Sequence, residues 1–449
     1  MLPINTWQTL STEEKKQLLS RPQYNNCFKK QVEDIIATVK TRGDAGLYAL
    51  TRDFDGVDLN ALQVSSTVIK QAEVSPKAMR ALTTAIETIT TYHQNTMPQS
   101  QSLSTVEGVT ISRVYKPITK VGLYVPGGNK TPLVSSLLMQ AIPAMIAGCP
   151  IRILCTPPNR GGQIDPHLLV AARLCNIETI YQVGGAQAVA AMAYGTESIP
   201  KVDKIFGPGN SFVTEAKTQV STDPLGAAID MPAGPSEVMI VADNKANPVF
   251  VAADLLAQAE HGVDSQVILL CEAEQFAKQV QTAITQQFDS LSRQTIIRQA
   301  LEHSAIVVCP NLEAQIDIIN DYAPEHLIIN RNDAVEWLPN IMAAGTIFLG
   351  PWAAETLGDY VTGSNHVLPT NGYARNHSGL GTIDFLKAFS IQDITVQGIS
   401  TLSDAAQSLA IIEGLDAHAN AVNVRMNFLA EVQGATLAEH SILNDVSID

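Results

Sequence analysis

Asp254, Gln258 and His261 recur at i, i+4 and i+7 in the run Asp254-Leu-Leu-Ala-Gln258-Ala-Glu260-His261-Gly262, so a helix here puts them on one face. Asn247 supplies an N-cap, Pro248 suits the first helical position and Gly262 is a stop, which predicts a helix over Pro248–His261. Ala252, Ala253, Leu256 and Ala259 fill the opposite side. A Gln oxygen and a His nitrogen can both ligate a cation, but two neutral donors need carboxylate or imidazole help from elsewhere. A core His, hydrogen-bonded where it sits, is the simpler alternative for this helix taken alone.

The help lies further along. Pro324-Glu325-His326 precedes the apolar run Leu327–Asn330, which predicts a loop from which a carboxylate and an imidazole can do acid–base work. Asp359 and His366 lie in the polar stretch Gly358–His366, read as a binding loop. Glu413 and His418 flank the turn between the last two helical patterns and on their own read as surface residues. Cys155 ends the apolar run Arg-Ile-Leu-Cys. A thiolate there can attack an aldehyde, but an apolar setting favours a structural thiol. His93, His167, His303, His377 and His440 fall in no motif.

Three glycine turns follow apolar strands: Val125-Pro126-Gly127-Gly128, Val183-Gly184-Gly185-Ala186-Gln187 and Phe206-Gly207-Pro208-Gly209-Asn210. Glycine at a strand–helix junction lets backbone N–H groups approach a phosphate. None completes GxGxxG, because Phe212 stands where the last glycine belongs. Three on one edge of a parallel sheet point to a nucleotide or phosphate ligand; tight turns needed only for folding are the alternative.

Positioning these residues requires α/β architecture. Apolar strands are predicted at Val121–Val125, Ile151–Cys155, Thr179–Val183, Lys204–Phe206 and Val238–Val241, with helices at Pro132–Ala147, Pro166–Cys175, Ala186–Ala193 and Ser211–Val220 between them. That alternation is the pattern of a parallel, doubly wound sheet. A second series follows: strands at Gln266–Cys271, Ala305–Cys309, Leu327–Asn330 and Thr346–Leu349, with helices from Glu274, near 293–302 and at 311–320. Before the first sheet come a helical lead-in to about residue 20, helices over Phe28–Lys40 and Pro76–Gln94 with Ser75 as cap, and a strand at Val109–Val114. After about Asp384 the chain reads as helical, clearest at Ser403–Glu413 and Asp416–Glu431.

The chain has 449 residues, too many for one ordinary core, and is 45% hydrophobic and 16% charged, a globular balance. A net charge of −15 argues against a nucleic-acid partner. Cys27, Cys149, Cys155, Cys175, Cys271 and Cys309 form no CxxC pair, as in a reduced, cytoplasmic protein, and the amino terminus carries no secretory or transit signal. The most apolar region, Pro132–Cys155, is broken by Gln140, Pro143, Pro150 and Arg152, which excludes a membrane span.

Taken together, the runs Gly-Pro-Gly-Asn210, Asp230-Met-Pro-Ala-Gly-Pro-Ser236-Glu, Gln258-Ala-Glu-His261-Gly, Pro324-Glu325-His326-Leu-Ile-Ile, Gly-Asp359-Tyr and Asn365-His366-Val-Leu-Pro-Thr resemble the histidinol dehydrogenase family, in the right order from about residue 25 to 431. The resemblance implies two incomplete Rossmann-like parallel-sheet domains, one of residues 23–118 with 238–382 and the other, NAD-binding, of 119–237. It also implies a helical amino-terminal segment of 1–22 and a helical dimerisation segment of 383–449. The activity it implies is NAD-dependent four-electron oxidation of L-histidinol, through L-histidinaldehyde, to L-histidine. By the same resemblance, Gln258, His261, Asp359 and His418 hold a zinc ion in each subunit. These ligands, with Ser236, His326, His366 and Glu413, contact substrate; Tyr124, Gln187 and Asn210 contact NAD. His326 is the implied base and Glu325 activates water. Glu413 and His418 come from the second subunit of a homodimer.

A superfamily relative oxidising a different polar alcohol is the nearest alternative, and the presence of both Glu413 and His366 favours histidinol. A zinc hydrolase is opposed by the glycine turns and by the lack of an HExxH helix, and a non-catalytic relative by retention of every expected site residue. The loop Asn159–Gln163, the pair Asn129-Lys130 and the tail beyond Glu431 depart from the family pattern and contain none of its functional positions.

Overall fold

A computed structural model of the chain describes residues 2–22, 28–127, 132–232 and 234–444, with side chains as far as 432. Cys27, Gly128, the Asn129-Lys130 pair and the His440 side chain lie outside the described residues. The chain begins with β1 (Ile4–Thr6), α1 (Thr12–Leu18), α2 (Lys29–Asp55), α3 (Ser66–Gln71), α4 (Pro76–Asn95), β2 (Gln101–Val106) and β3 (Val109–Pro117). There follow β4 (Lys120–Tyr124), α5 (Val134–Ile146), β5 (Ile151–Cys155), α6 (Pro166–Leu174), β6 (Thr179–Tyr181), α7 (Gly185–Tyr194), β7 (Lys204–Phe206), α8 (Ser211–Thr222) and β8 (Ala228–Ile229). Next come β9 (Glu237–Ala242), α9 (Pro248–Ala259), β10 (Gln266–Cys271), α10 (Glu274–Phe288), α11 (Gln294–Ala300), β11 (Ala305–Val308), α12 (Leu312–Tyr322) and β12 (His326–Asn330). The chain closes with α13 (Ala334–Trp337), β13 (Thr346–Leu349), α14 (Glu355–Tyr360), β14 (Leu386–Ile394), α15 (Val396–Ile412) and α16 (Asp416–Asn444).

Two compact units result: Met1–Met97 with Pro117–Leu386, and Pro98–Lys116 with Lys387–Asp449. The larger unit holds both parallel sheets, one of five strands in the order β6-β5-β4-β7-β8 and one of six in the order β1-β11-β10-β9-β12-β13. Each is buried on both faces, because side chains alternate along a strand. Leu123, Leu154 and Ile180 point to the α4–α6 side, whereas Tyr124, Ile153 and Tyr181 point to α2, α7 and α8. In the larger sheet Ile240, Leu269 and Ile306 pack under α9 and α10, and Val241, Leu270 and Val307 under α12. The smaller unit carries the antiparallel pair β2–β3, extended by β14, and the packed helices α15 and α16.

Several expectations change. Val238–Val241 belongs to the six-stranded sheet, and the fifth strand of the other sheet is the two-residue β8. The terminal segments are helical as read, yet each also contributes a strand: β1 pairs with β11, and the exposed β14 lines up beside β3. β2 also escaped the sequence reading, because its outward residues Gln101, Ser102 and Ser104 give it no apolar alternation. The helix expected to stop at Lys40 continues to Asp55 past a non-helical Gly43, whose positive φ (53°) favours glycine. α2, α3 and α4 pack on α7, α6 and α5 of the five-stranded sheet. No helix among the described residues is long and apolar enough to cross a membrane.

Candidate active site

The site is built at the amino end of β12. Because β9, β10 and β12 are parallel, α9 must run back against them, and its last turn returns to the edge where β9 and β12 start. Asn247 caps α9 as expected, its side chain accepting from Val249 N–H, with Pro248 at the first turn. The helix ends at Ala259 with Glu260 as C-cap, two residues short of the expected end, because His261 N–H already closes a turn onto the Gln258 carbonyl at 3.2 Å. His261 is thus exposed beyond the helix, while Gln258 is fully buried in its last turn.

His326 differs from the expected loop placement, whereas Glu325 stays in the bend before it. β12 begins at His326, and the two residues are only 5% and 3% exposed. His326 Nδ1 lies 3.1 Å from the Glu237 carbonyl, which can only accept, so Nδ1 carries the proton and donates. Gln258 Nε2 stands 3.4 Å from the same nitrogen. Nε2 is then the basic nitrogen; it is buried, has no hydrogen-bond partner and faces Asp359 Oδ1 at 3.7 Å. Glu325 Oε2 accepts from Glu237 N–H at 2.7 Å and lies 3.5 Å from His326 Nδ1.

Two more carboxylates surround the imidazole, and one was missed from sequence. Glu355 Oε1 is 3.6 Å from His326 Nδ1, and Glu355 is 2% exposed. It sits on α14 with Asp359 one turn on; the i, i+4 spacing of the two carboxylates was the available signal. Asp359 is therefore helical, whereas His366 lies in the loop that follows, its Nδ1 donating to the Asp359 carbonyl at 2.7 Å. Burial alone would lower the His326 imidazole, but Glu355, Glu325 and Asp359 outweigh it and hold it well above its ordinary value. Burial lifts the Glu355 carboxyl to about 8. It would lift Asp359 too, but His326, His366 and His261 prevail and keep it below the usual range.

This arrangement fits a divalent cation. His326, Glu355 and Asp359 present ligand atoms within 4.8 Å of one another, and Gln258 Oε1, His326 Nε2 and Glu355 Oε2 are buried without hydrogen-bond partners. A mixed set of oxygen and imidazole nitrogen donors suits zinc. Of the expected ligands, Gln258 and Asp359 stand against His326, and His261 is exposed just past the end of α9. Ser236 immediately precedes Glu237 at the same edge and is half-buried. Glu413 and His418 belong to the smaller unit, where both are exposed around the Gly414 turn (φ 71°).

The glycine turns occupy the carboxyl edge of the five-stranded sheet. Tyr124 is 3% exposed, and its hydroxyl accepts from Gly185 N–H at 3.0 Å, tying the turn after β4 to the one before α7. Gln187 is buried in the first turn of α7. Asn210 caps α8, its Oδ1 accepting from Phe212 and Val213 N–H groups at 3.1 and 3.2 Å, and remains exposed at that helix start. Gly207 (φ 123°) has Tyr124 O 2.0 Å from where a Cβ would stand, so only glycine fits. Cys155 is fully buried, and burial raises its thiol far above the range in which a thiolate forms, as expected of a structural residue.

Comparison with known proteins gives a consistent result. A family model described as histidinol dehydrogenase matches residues 19–426. A histidinol dehydrogenase of Legionella pneumophila (strain Lens) is 61% identical over 431 residues, 96% of this chain and 100% of its own length. One from Aliivibrio fischeri is 48% identical over 430 residues, 95% of this chain and 97% of its own length. The crystal structure of histidinol dehydrogenase from Elizabethkingia anophelis superposes with a TM-score of 0.91 at 42% identity, covering 96% of this chain and 99% of that one.

Proposed function

The chain belongs to the histidinol dehydrogenase family, oxidoreductases of histidine biosynthesis, and on that premise we propose how its residues divide the work. The reaction removes two hydrides from L-histidinol, one at the alcohol and one at the hydrated aldehyde, each to an NAD. His326 takes the alcohol proton at Nε2 while hydride leaves the carbinol carbon, giving L-histidinaldehyde. Glu325 then removes a proton from water as its oxygen adds to the aldehyde carbon, and hydride leaves the hydrate to give L-histidine. The observation that carries this reading is the orientation of His326: Nδ1 is held by the Glu237 carbonyl, which leaves Nε2, without a hydrogen-bond partner, as the nitrogen that exchanges the proton.

Gln258, His261, Asp359 and His418 are the proposed zinc ligands, and Ser236, His326, His366 and Glu413 contact substrate beside them. Bound there, zinc supplies a Lewis-acidic anchor for the imidazole and amino nitrogens of histidinol. Tyr124, Gln187 and Asn210 are proposed to meet NAD, at the glycine turns on the carboxyl edge of the five-stranded sheet.

A homodimer that shares its active sites is proposed as well, with Glu413 and His418 reaching the site of the other subunit. Its support is the apolar surface of the smaller unit: Leu409, Ile411, Ile412, Val424 and Phe428 are exposed, Ile412 by 78%. A groove of about 640 Å³ between α15 and α16 is lined by Val396, Leu402 and Phe428 among others. A cytoplasmic setting is proposed from the five described cysteines, all free and buried.

The test separates the two hydride transfers. His326→Asn, zinc-loaded, should lose nearly all NADH formation from histidinol and keep most of that from added histidinaldehyde. Equal loss in both would overturn the division between His326 and Glu325.

A further inference from the structure

Glu325 and His326 share one backbone residue. Glu237 N–H donates to Glu325 Oε2 at 2.7 Å, and the Glu237 carbonyl accepts from His326 Nδ1 at 3.1 Å. Glu237 opens β9 one residue before the first paired positions of β9 and β12, Val238 and His326, so its N–H is left for the Glu325 carboxylate. A backbone at the first residue of a strand needs a further restraint to hold two side chains in fixed positions.

That restraint is the Glu237 side chain, 2% exposed and paired with Arg21. Arg21 Nε donates to Oε1 at 2.6 Å and Nη2 to Oε2 at 2.9 Å, a two-pronged fit that fixes direction as well as distance. Asn371 N–H adds a bond to Oε1 at 2.7 Å. The guanidinium is itself seated: it lies 3.9 Å from the centroid of the Tyr322 ring and donates to the Tyr322 carbonyl at 2.7 Å. The Tyr322 hydroxyl in turn donates to Gln266 Oε1 at 2.7 Å, on the strand that pairs with β9.

We propose that Arg21 and Glu237 are positioning residues for catalysis, the buried ion pair fixing the backbone of residue 237 from which both Glu325 and His326 are aimed. Neither touches substrate, zinc or cofactor. The inference rests on reading Glu325 and His326 as the acid–base pair. Arg21 comes from the amino-terminal segment, which thereby becomes part of the catalytic apparatus at the start of a strand 216 residues further along the chain.

The test uses full-length, zinc-loaded protein. Arg21→Lys keeps the charge without the fork, and Glu237→Gln keeps the shape without the charge. Both should lower kcat by about ten- to a hundredfold in each half-reaction, from histidinol and from histidinaldehyde, because both side chains lose their aim. Zinc content and the KM for NAD should stay at parental values. Arg21→Ala should regain kcat on addition of guanidinium chloride and not of sodium chloride, a recovery that a merely structural role does not give. Folded, zinc-replete variants with kcat unchanged, loss in one half-reaction only, or a folded Arg21→Ala that guanidinium leaves unimproved would overturn the proposal. If Glu325→Gln and His326→Asn themselves leave both half-reactions intact, it is the acid–base reading that fails.

Discussion

Lys217→Met should be among the more damaging single substitutions in the larger unit, and its cost can be worked from the geometry. Lys217 and Asp230 form an ion pair with side chains 3% and 1% exposed. Lys217 Nζ also donates to the Gly207 carbonyl at 2.9 Å, and Asp230 Oδ2 accepts from Gly207 N–H at 2.8 Å, so the pair grips both sides of one turn residue. Removing the ammonium leaves a buried carboxylate uncompensated, a loss of about 3–5 kcal/mol, where an exposed pair would cost less than about 1 kcal/mol. The double variant Lys217→Met/Asp230→Asn should be less destabilised than the sum of the singles by about 1–3 kcal/mol, since the charge left behind is then gone. Urea unfolding at fixed protein and zinc concentrations measures this through the midpoint, with the slope unchanged. Because Gly207 precedes Asn210 in the proposed NAD turn, the KM for NAD should rise while that for histidinol holds. A single variant within about 1 kcal/mol of the parent, with an unaltered KM for NAD, would refute the view that this pair clamps the turn.

Two further outcomes are expected. His93 is fully buried, and burial lowers its imidazole to about 4, so it stays neutral when folded but takes a proton when unfolded below about pH 6.5. Its share of stability, at most about 3 kcal/mol, is therefore whole above pH 6.5 and lost as pH falls toward 4; His93→Gln should flatten the fall in melting temperature over that window, and an unchanged slope would count against it. Mixing inactive His261→Ala and His418→Ala chains after dissociation should restore activity in hybrid dimers, which hold an intact site only if His418 is donated across the interface; no recovery after proven subunit exchange would exclude a shared site.

The sequence displayed the fold wherever apolar content was dense. β10 and β13 fall on the residues their apolar runs predict, and Asn247 and Ser75 cap helices as their type requires. It was silent where pairing, not composition, makes the element: β1, β2, β8 and β14 are short or exposed and owe their form to neighbours. The end of α9 was set by the turn at Gln258–His261 and not by Gly262, which lies beyond it. At the site, Gln258, Glu325, His326 and Asp359 stood out by type and motif and do converge on one imidazole. Arg21 and Glu237 did not, because no local spacing links an arginine near the amino terminus to a carboxylate far along the chain.

The pairing of β1 with β11 has a consequence for how the protein is made. Ile4 pairs with Ile306, so β1 waits for a partner synthesised 302 residues later. At translation rates of about 5–20 residues per second, that interval is roughly 15–60 seconds. Over this time the five-stranded sheet can emerge entire and fold on its own local crossovers, while the segment that carries Arg21 stays unpaired. Assembly of the catalytic edge is therefore a late event, and a nascent chain halted before β11 would hold a finished nucleotide-type sheet with no means of oxidising anything.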